Sequence, residues 1–69
     1  MQLSARNQIP ATVTSINQGE AIANVELDAS GSRLVSSITV EAAKQLGLAV
    51  GKEVIVIIKA SDVILATND

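Results

Sequence analysis

Thr39-Val40-Glu41-Ala42-Ala43-Lys44-Gln45-Leu46-Gly47 is the stretch of this 69-residue chain where the hydrophobic spacing leaves the two-residue period of a strand. Thr39 is placed to cap a helix whose first turn carries Glu41, and Gly47 is placed to end it. The helix has room for about two turns. On either side of it the chain reads as strand.

Upstream, residues 9–16 are rich in Thr, Val and Ile, with Pro10 early enough for a strand to tolerate its missing N–H donor. Asn17-Gln18-Gly19 supplies turn chemistry. Residues 21–28 then alternate, with Ala21, Ala23, Val25 and Leu27 on one face and Ile22, Asn24, Glu26 and Asp28 on the other. After a second turn, Ala29-Ser30-Gly31-Ser32, residues 33–39 set Leu34, Ser36 and Ile38 against Val35 and Ser37. Downstream, Gly51-Lys52 turns the chain into residues 53–59, which carry Val54-Ile55-Val56-Ile57-Ile58, and Val63-Ile64-Leu65-Ala66 supplies a fifth strand.

The order β-β-β-α-β-β predicts an all-β fold: a small five-stranded OB-like Greek-key barrel with one short helix between strands 3 and 4. A ferredoxin-like alternation would need a second helix. In such a barrel strand 1 pairs antiparallel with strand 4, so the start of the first lies opposite the end of the second. Alternate side chains of the 54–58 run would face water on a monomer unless the helix covers them, and the helix is too short to cover everything. Burial against another copy gains roughly 1.5–3 kcal/mol for each such side chain. Self-association is the expectation.

Composition narrows the function classes. Sixty-nine residues make one domain, burying only about 60% of the unfolded surface. With no Cys and no His there is no disulfide framework, no thiol chemistry and no common zinc or copper ligand. Five Lys and Arg against seven Asp and Glu give a net charge of -2, unsuited to nucleic acid. The absence of aromatic residues removes the stacking faces on which small barrels hold single strands, each contributing about 1–3 kcal/mol per base. A hydrophobic fraction of 48% and a mean hydropathy of +0.40 are high for so small a domain, consistent with apolar surface between subunits. No apolar run approaches the roughly 20 residues of a membrane-spanning helix and no basic-plus-apolar leader is visible, so a soluble, cytoplasmic protein is expected.

Two polar clusters stand out, Ser4-Ala5-Arg6-Asn7 and Lys59-Ala60-Ser61. Both offer donors: a guanidinium fork, an ammonium, hydroxyls and free backbone N–H groups. Neither contains a carboxylate. The expected pairing of strands 1 and 4 makes Arg6 and Lys59 neighbours, and two adjacent cations repel unless an anion lies between them. A small, fully deprotonated oxyanion, which only accepts hydrogen bonds, fits that set. An enzyme would need a nucleophile with a base; the remaining candidate is Lys59 with Ser61, and nothing marks that pair as catalytic. Glu26 and Asp28 share a strand face but lack the apolar-walled cleft of a carboxylate pair.

Ser4-Ala5-Arg6-Asn7-Gln8, Ile38-Thr39, Leu46-Gly47-Leu48, Gly51-Lys52-Glu53 and Lys59-Ala60-Ser61 together resemble the molbindins, proteins made of a single Mop domain, over essentially residues 1–69. The resemblance implies a hexamer that holds molybdate or tungstate at subunit interfaces as an intracellular store or buffer, with no catalysis and no other cofactor. It also implies a ligand set. Ser4, Arg6, Lys59 and Ala60 match family ligand positions, Ala60 through its backbone N–H; Thr39 matches a helix-cap hydroxyl of the same site, and Ser61 adjoins it. Some relatives carry a serine in the first turn of the helix where this chain has Ala42. The alternatives left open are an OB-type protein-interaction module and a structural oligomer without a ligand.

Overall fold

The structure, a computed structural model, describes residues 3–69. Four strands and one helix follow in the order β1 (Asn7–Gln18), β2 (Ile22–Ala29), β3 (Ser32–Thr39), α1 (Val40–Gln45) and β4 (Glu53–Ile58), with a 3₁₀ turn at Ala60–Asp62. The strands form one antiparallel sheet in the order β3-β2-β1-β4.

β1 is the spine of the sheet. Its N-terminal half pairs with β4 from Asn7↔Ile58 to Thr12↔Glu53, and its C-terminal half pairs with β2 from Thr12↔Asp28 to Gln18↔Ala23. The register slips between Val13 and Ser15, a bulge that bends the strand where it changes partner. Pro10 sits in the half paired with β4, opposite Ile55. β2 and β3 close through Ser30 and Gly31, both at positive φ (52° and 93°), the geometry of a two-residue hairpin turn whose twist matches the strands. The Asp28 carboxylate accepts the Gly31 N–H at 3.1 Å.

The helix ends are built as the sequence suggests. Thr39 Oγ1 accepts the Ala42 N–H at 3.0 Å. At the other end Gly47, at φ +63°, donates to the Lys44 carbonyl, and Leu48 donates to that of Ala43, a Schellman closure. Lys52 Nζ adds bonds to the carbonyls of Leu46 and Gly47. The helix packs on β2 and β3, closing one end of the core with Ala23, Val40 and Ala43. The main core is Ala11, Val13, Val25, Leu27 and Ala29, with Val54 and Val56 packed against it.

One expected element is missing. Residues 63–66 form no strand, and the sheet has four strands where a closed five-stranded barrel was expected. Val63 has extended dihedrals (φ -88°, ψ 118°), yet Ile64 and Leu65 are 91% and 87% exposed. An extended segment becomes a strand only against a partner edge, and within this chain it meets none. Ile55 and Ile57 on β4 stay exposed, as expected for a face the helix does not cover.

Candidate functional site

Asn7 and Ile58 are the last register pair of the β1–β4 ladder, and Asn7 Nδ2 donates to the Ile58 carbonyl at 3.1 Å. One register step further lie Arg6 and Lys59. The two polar clusters, more than fifty positions apart in sequence, therefore emerge side by side from the same end of the sheet. Ser4 precedes Arg6 by two residues, and Ala60 and Ser61 follow Lys59 into the 3₁₀ turn.

The turn itself supplies donors. The N–H groups of Asp62 and Val63 are used by the carbonyls of Lys59 and Ala60, at 2.9 and 3.3 Å. Those of Ala60 and Ser61 head the turn, where a helical segment has no internal partner to give them. Lys59 makes no side-chain cap. Among the described residues the ion pair joins Arg33 to Glu26, and no carboxylate is paired with Arg6 or Lys59.

Burial alternates along both strands, which fixes the direction of the cations. Asn7, Ile9 and Ala11 face the core side of β1, as do Val54, Val56 and Ile58 on β4. Arg6 and Lys59 thus belong to the opposite, outer face, in line with exposed Ile55 and Ile57. Ser4, Arg6, Lys59, Ala60 and Ser61 are all exposed in the single chain. Water-exposed cations bind an anion weakly, with about 0–1 kcal/mol for an exposed ion pair, so these groups in a single chain would hold an anion only loosely.

Thr39 does not join the others within one chain. It pairs with Ile22 at the Gln18 end of the sheet, separated from Arg6 by the length of β1, on the order of 36 Å of chain at about 3.3 Å per residue. There it lines a cavity of about 500 Å³ with Glu20, Glu41 and Lys44. Two N–H groups of this helix start are already engaged, Val40 with the Ala21 carbonyl at 2.8 Å and Ala42 with Thr39 itself. The Thr39 hydroxyl accepts in that cap and keeps its proton free to donate.

Two further residues lie beside these clusters. In sequence Asn7 reads only as a polar neighbour of Arg6; its clamp on Ile58 is visible only once β1 and β4 are paired. Asp62 lies just past the second cluster, an exposed carboxylate three positions from Lys59.

The chain is similar to known proteins over most of its length. The TOBE domain family matches residues 3–65. A probable molybdenum-pterin-binding protein of Haemophilus influenzae is 44% identical over 69 residues, covering 99% of this chain and all of that protein. A molybdenum import ATP-binding protein ModC of Brucella abortus is 44% identical over 62 residues, 88% of this chain, which spans only 17% of that longer protein. The solved structure of a molybdate-binding protein from Sporomusa ovata superimposes with a TM-score of 0.93 at 33% identity, over 97% of this chain and 100% of its own. The chain belongs to the TOBE domain family, and within it to the Mop, or molbindin, type that its polar motifs resemble.

Proposed function

We propose that this chain binds molybdate, and tungstate of like charge and shape, at interfaces between its own copies, and serves as a cytoplasmic store or buffer of the oxyanion. The observation that carries the reading is the convergence of Arg6 and Lys59 beyond the Asn7–Ile58 pair, with no carboxylate partner among the described residues. Residues 1–69 then act as one Mop domain, and the hexamer is the assembly the resemblance implies.

The interface follows from the direction of the side chains. Arg6 and Lys59 share an outer face with Ile55 and Ile57, so a neighbouring copy that covers the isoleucines also walls off the cations. Exclusion of water strengthens every charge-assisted bond made there. The donors available are the Arg6 fork, the Lys59 ammonium, the Ser4 and Ser61 hydroxyls and the Ala60 N–H, with the Thr39 hydroxyl reaching them only from another copy. This set supports a ligand that solely accepts.

The relatives differ in what their names say they hold, a molybdenum pterin in one and molybdate in another. The absence of aromatic residues favours the bare oxyanion, because no ring is available to stack on a pterin. With neither Cys nor His, the chain is read as a binding protein without catalysis. Equilibrium dialysis against molybdate alone, with molybdenum counted per subunit, tests the proposal. Saturable uptake without any pterin is expected; no uptake by the assembled protein would leave a structural oligomer.

A further inference from the structure

The 3₁₀ turn that carries Ala60 and Ser61 ends in an acid, Asp62. Its N–H donates to the Lys59 carbonyl at 2.9 Å. A turn closed by a bond of that span holds its first and last Cα atoms within about 7 Å of each other. Asp62 therefore stands within one turn of Lys59 and of the Ala60 and Ser61 N–H groups, and Arg6 adjoins Lys59 across the β1–β4 ladder. Asp62 is exposed, and the ion pair among the described residues, Arg33 with Glu26, leaves it unengaged.

The other acids of the strands, the helix and the connecting turns lie elsewhere. Glu53 opposes Thr12 at the far end of β4, about 20 Å of strand from Lys59. Glu26 and Asp28 pair with Val35 and Arg33 of β3. Glu20 and Glu41 line the Thr39 cavity at the other end of the sheet. At 0.1 M salt the screening length is about 10 Å, so within one chain Asp62 acts on the donor set and these acids do not.

We propose that Asp62 sets the strength and the charge selectivity of the oxyanion site, as a fixed negative charge held beside the donors. The inference rests on the oxyanion reading and names the residue that limits its affinity. Coulomb repulsion scales with the product of the charges, so a dianion such as molybdate is opposed about twice as strongly as a monoanion of the same tetrahedral shape. Asp62 thus lowers molybdate affinity where Arg6 and Lys59 raise it, which suits a store that must release its ion. An ionised carboxylate only accepts hydrogen bonds, so Asp62 cannot itself become a ligand of a fully deprotonated oxyanion.

Asp62→Asn keeps the shape and removes the charge. Calorimetry of the assembled protein in 0.1 M sodium chloride should show molybdate bound roughly two- to fivefold more tightly than by the parent, the scale of an exposed charge pair. Perrhenate, a tetrahedral monoanion, should gain less. The molybdate gain should also shrink at 1 M salt, where the screening length is about 3 Å. Asp62→Glu retains the charge and should keep the parental ratio of molybdate to perrhenate affinity. Glu53→Gln removes the same charge at a distance and should leave that ratio unchanged. Equal gains for the two ions, an unchanged molybdate affinity in Asp62→Asn, or the same gain in Glu53→Gln overturns the proposal and leaves the oxyanion reading in place. A parent protein that binds neither ion overturns both.

Discussion

Asn7 donates its side-chain amide to the backbone carbonyl of Ile58 across 3.1 Å, joining residues 51 positions apart at the end of the β1–β4 ladder. Just beyond that bond lie exposed polar side chains, Arg6 and Ser4 on one side and Lys59 and Ser61 on the other. The bond therefore holds the two halves of the donor set in register, although Asn7 itself faces the core side of the strand.

Asn7→Ala tests that role. The loss of one partly buried hydrogen bond costs about 0.5–1.5 kcal/mol, and for a domain of this size each kcal/mol lowers the melting temperature by roughly 4–8 °C. Molybdate affinity should fall as well, because the cations lose their common frame. A lowered melting temperature with unchanged affinity, measured by calorimetry, would reduce Asn7 to a structural residue.

The helix terminus offers a separate check. Gly47 adopts φ +63°, and a Cβ there would stand 3.3 Å from Lys52 Nζ, the group that bonds the carbonyls of Leu46 and Gly47. Gly47→Ala should destabilise the protein by about 1 kcal/mol from the left-handed backbone alone, with more if Lys52 is displaced. Chemical denaturation measures it. Molybdate affinity should fall less than in Arg6→Ala, since this turn is remote from Arg6 and reaches the proposed site only through the helix that Thr39 caps.

Much of the fold was legible in the sequence because its signals are local. The Thr39 cap, the Gly47 stop, the Ser30-Gly31 turn and the alternation of β2 depend on residues within a few positions of each other. The β1–β4 pairing followed from topology, and the structure places Asn7 opposite Ile58 as that pairing requires. What could not be read was that 63–66 pairs with no strand of its own chain, because a β-branched run states a capacity to pair and not the edge it pairs with. The site divides the same way. Arg6 and Lys59 came together through one ladder, whereas Thr39 stands at the other end of the sheet and can meet them only through contacts between copies, which no intrachain pattern encodes.

Ile57→Lys addresses the interface directly. Ile57 is 42% exposed and Ile55 55% exposed, on the face that carries Lys59 and Arg6. A charge in the centre of an apolar contact leaves an uncompensated ion there, a penalty of several kcal/mol. The variant should dissociate in the ultracentrifuge and lose molybdate binding at the same time. Dissociation with full molybdate binding would show that a single chain holds the ion unaided.

The last prediction separates ligand cations from structural ones. Arg6→Ala removes a charge-assisted and forked contact, which costs about 1.5–3 kcal/mol, roughly ten- to hundredfold in molybdate affinity. Arg6→Lys should restore only part of it, because an ammonium cannot present two parallel N–H groups to one oxyanion. Lys59→Ala should weaken binding in the same direction. The unliganded protein should respond the opposite way: neither cation has a carboxylate partner among the described residues, and in the empty site the two repel each other. Removing either one should leave the apo melting temperature unchanged or raise it, while the stabilisation produced by saturating molybdate shrinks. If instead the apo protein of both variants melts well below the parent and molybdate affinity is untouched, Arg6 and Lys59 hold the strand ends together and the anion binds elsewhere.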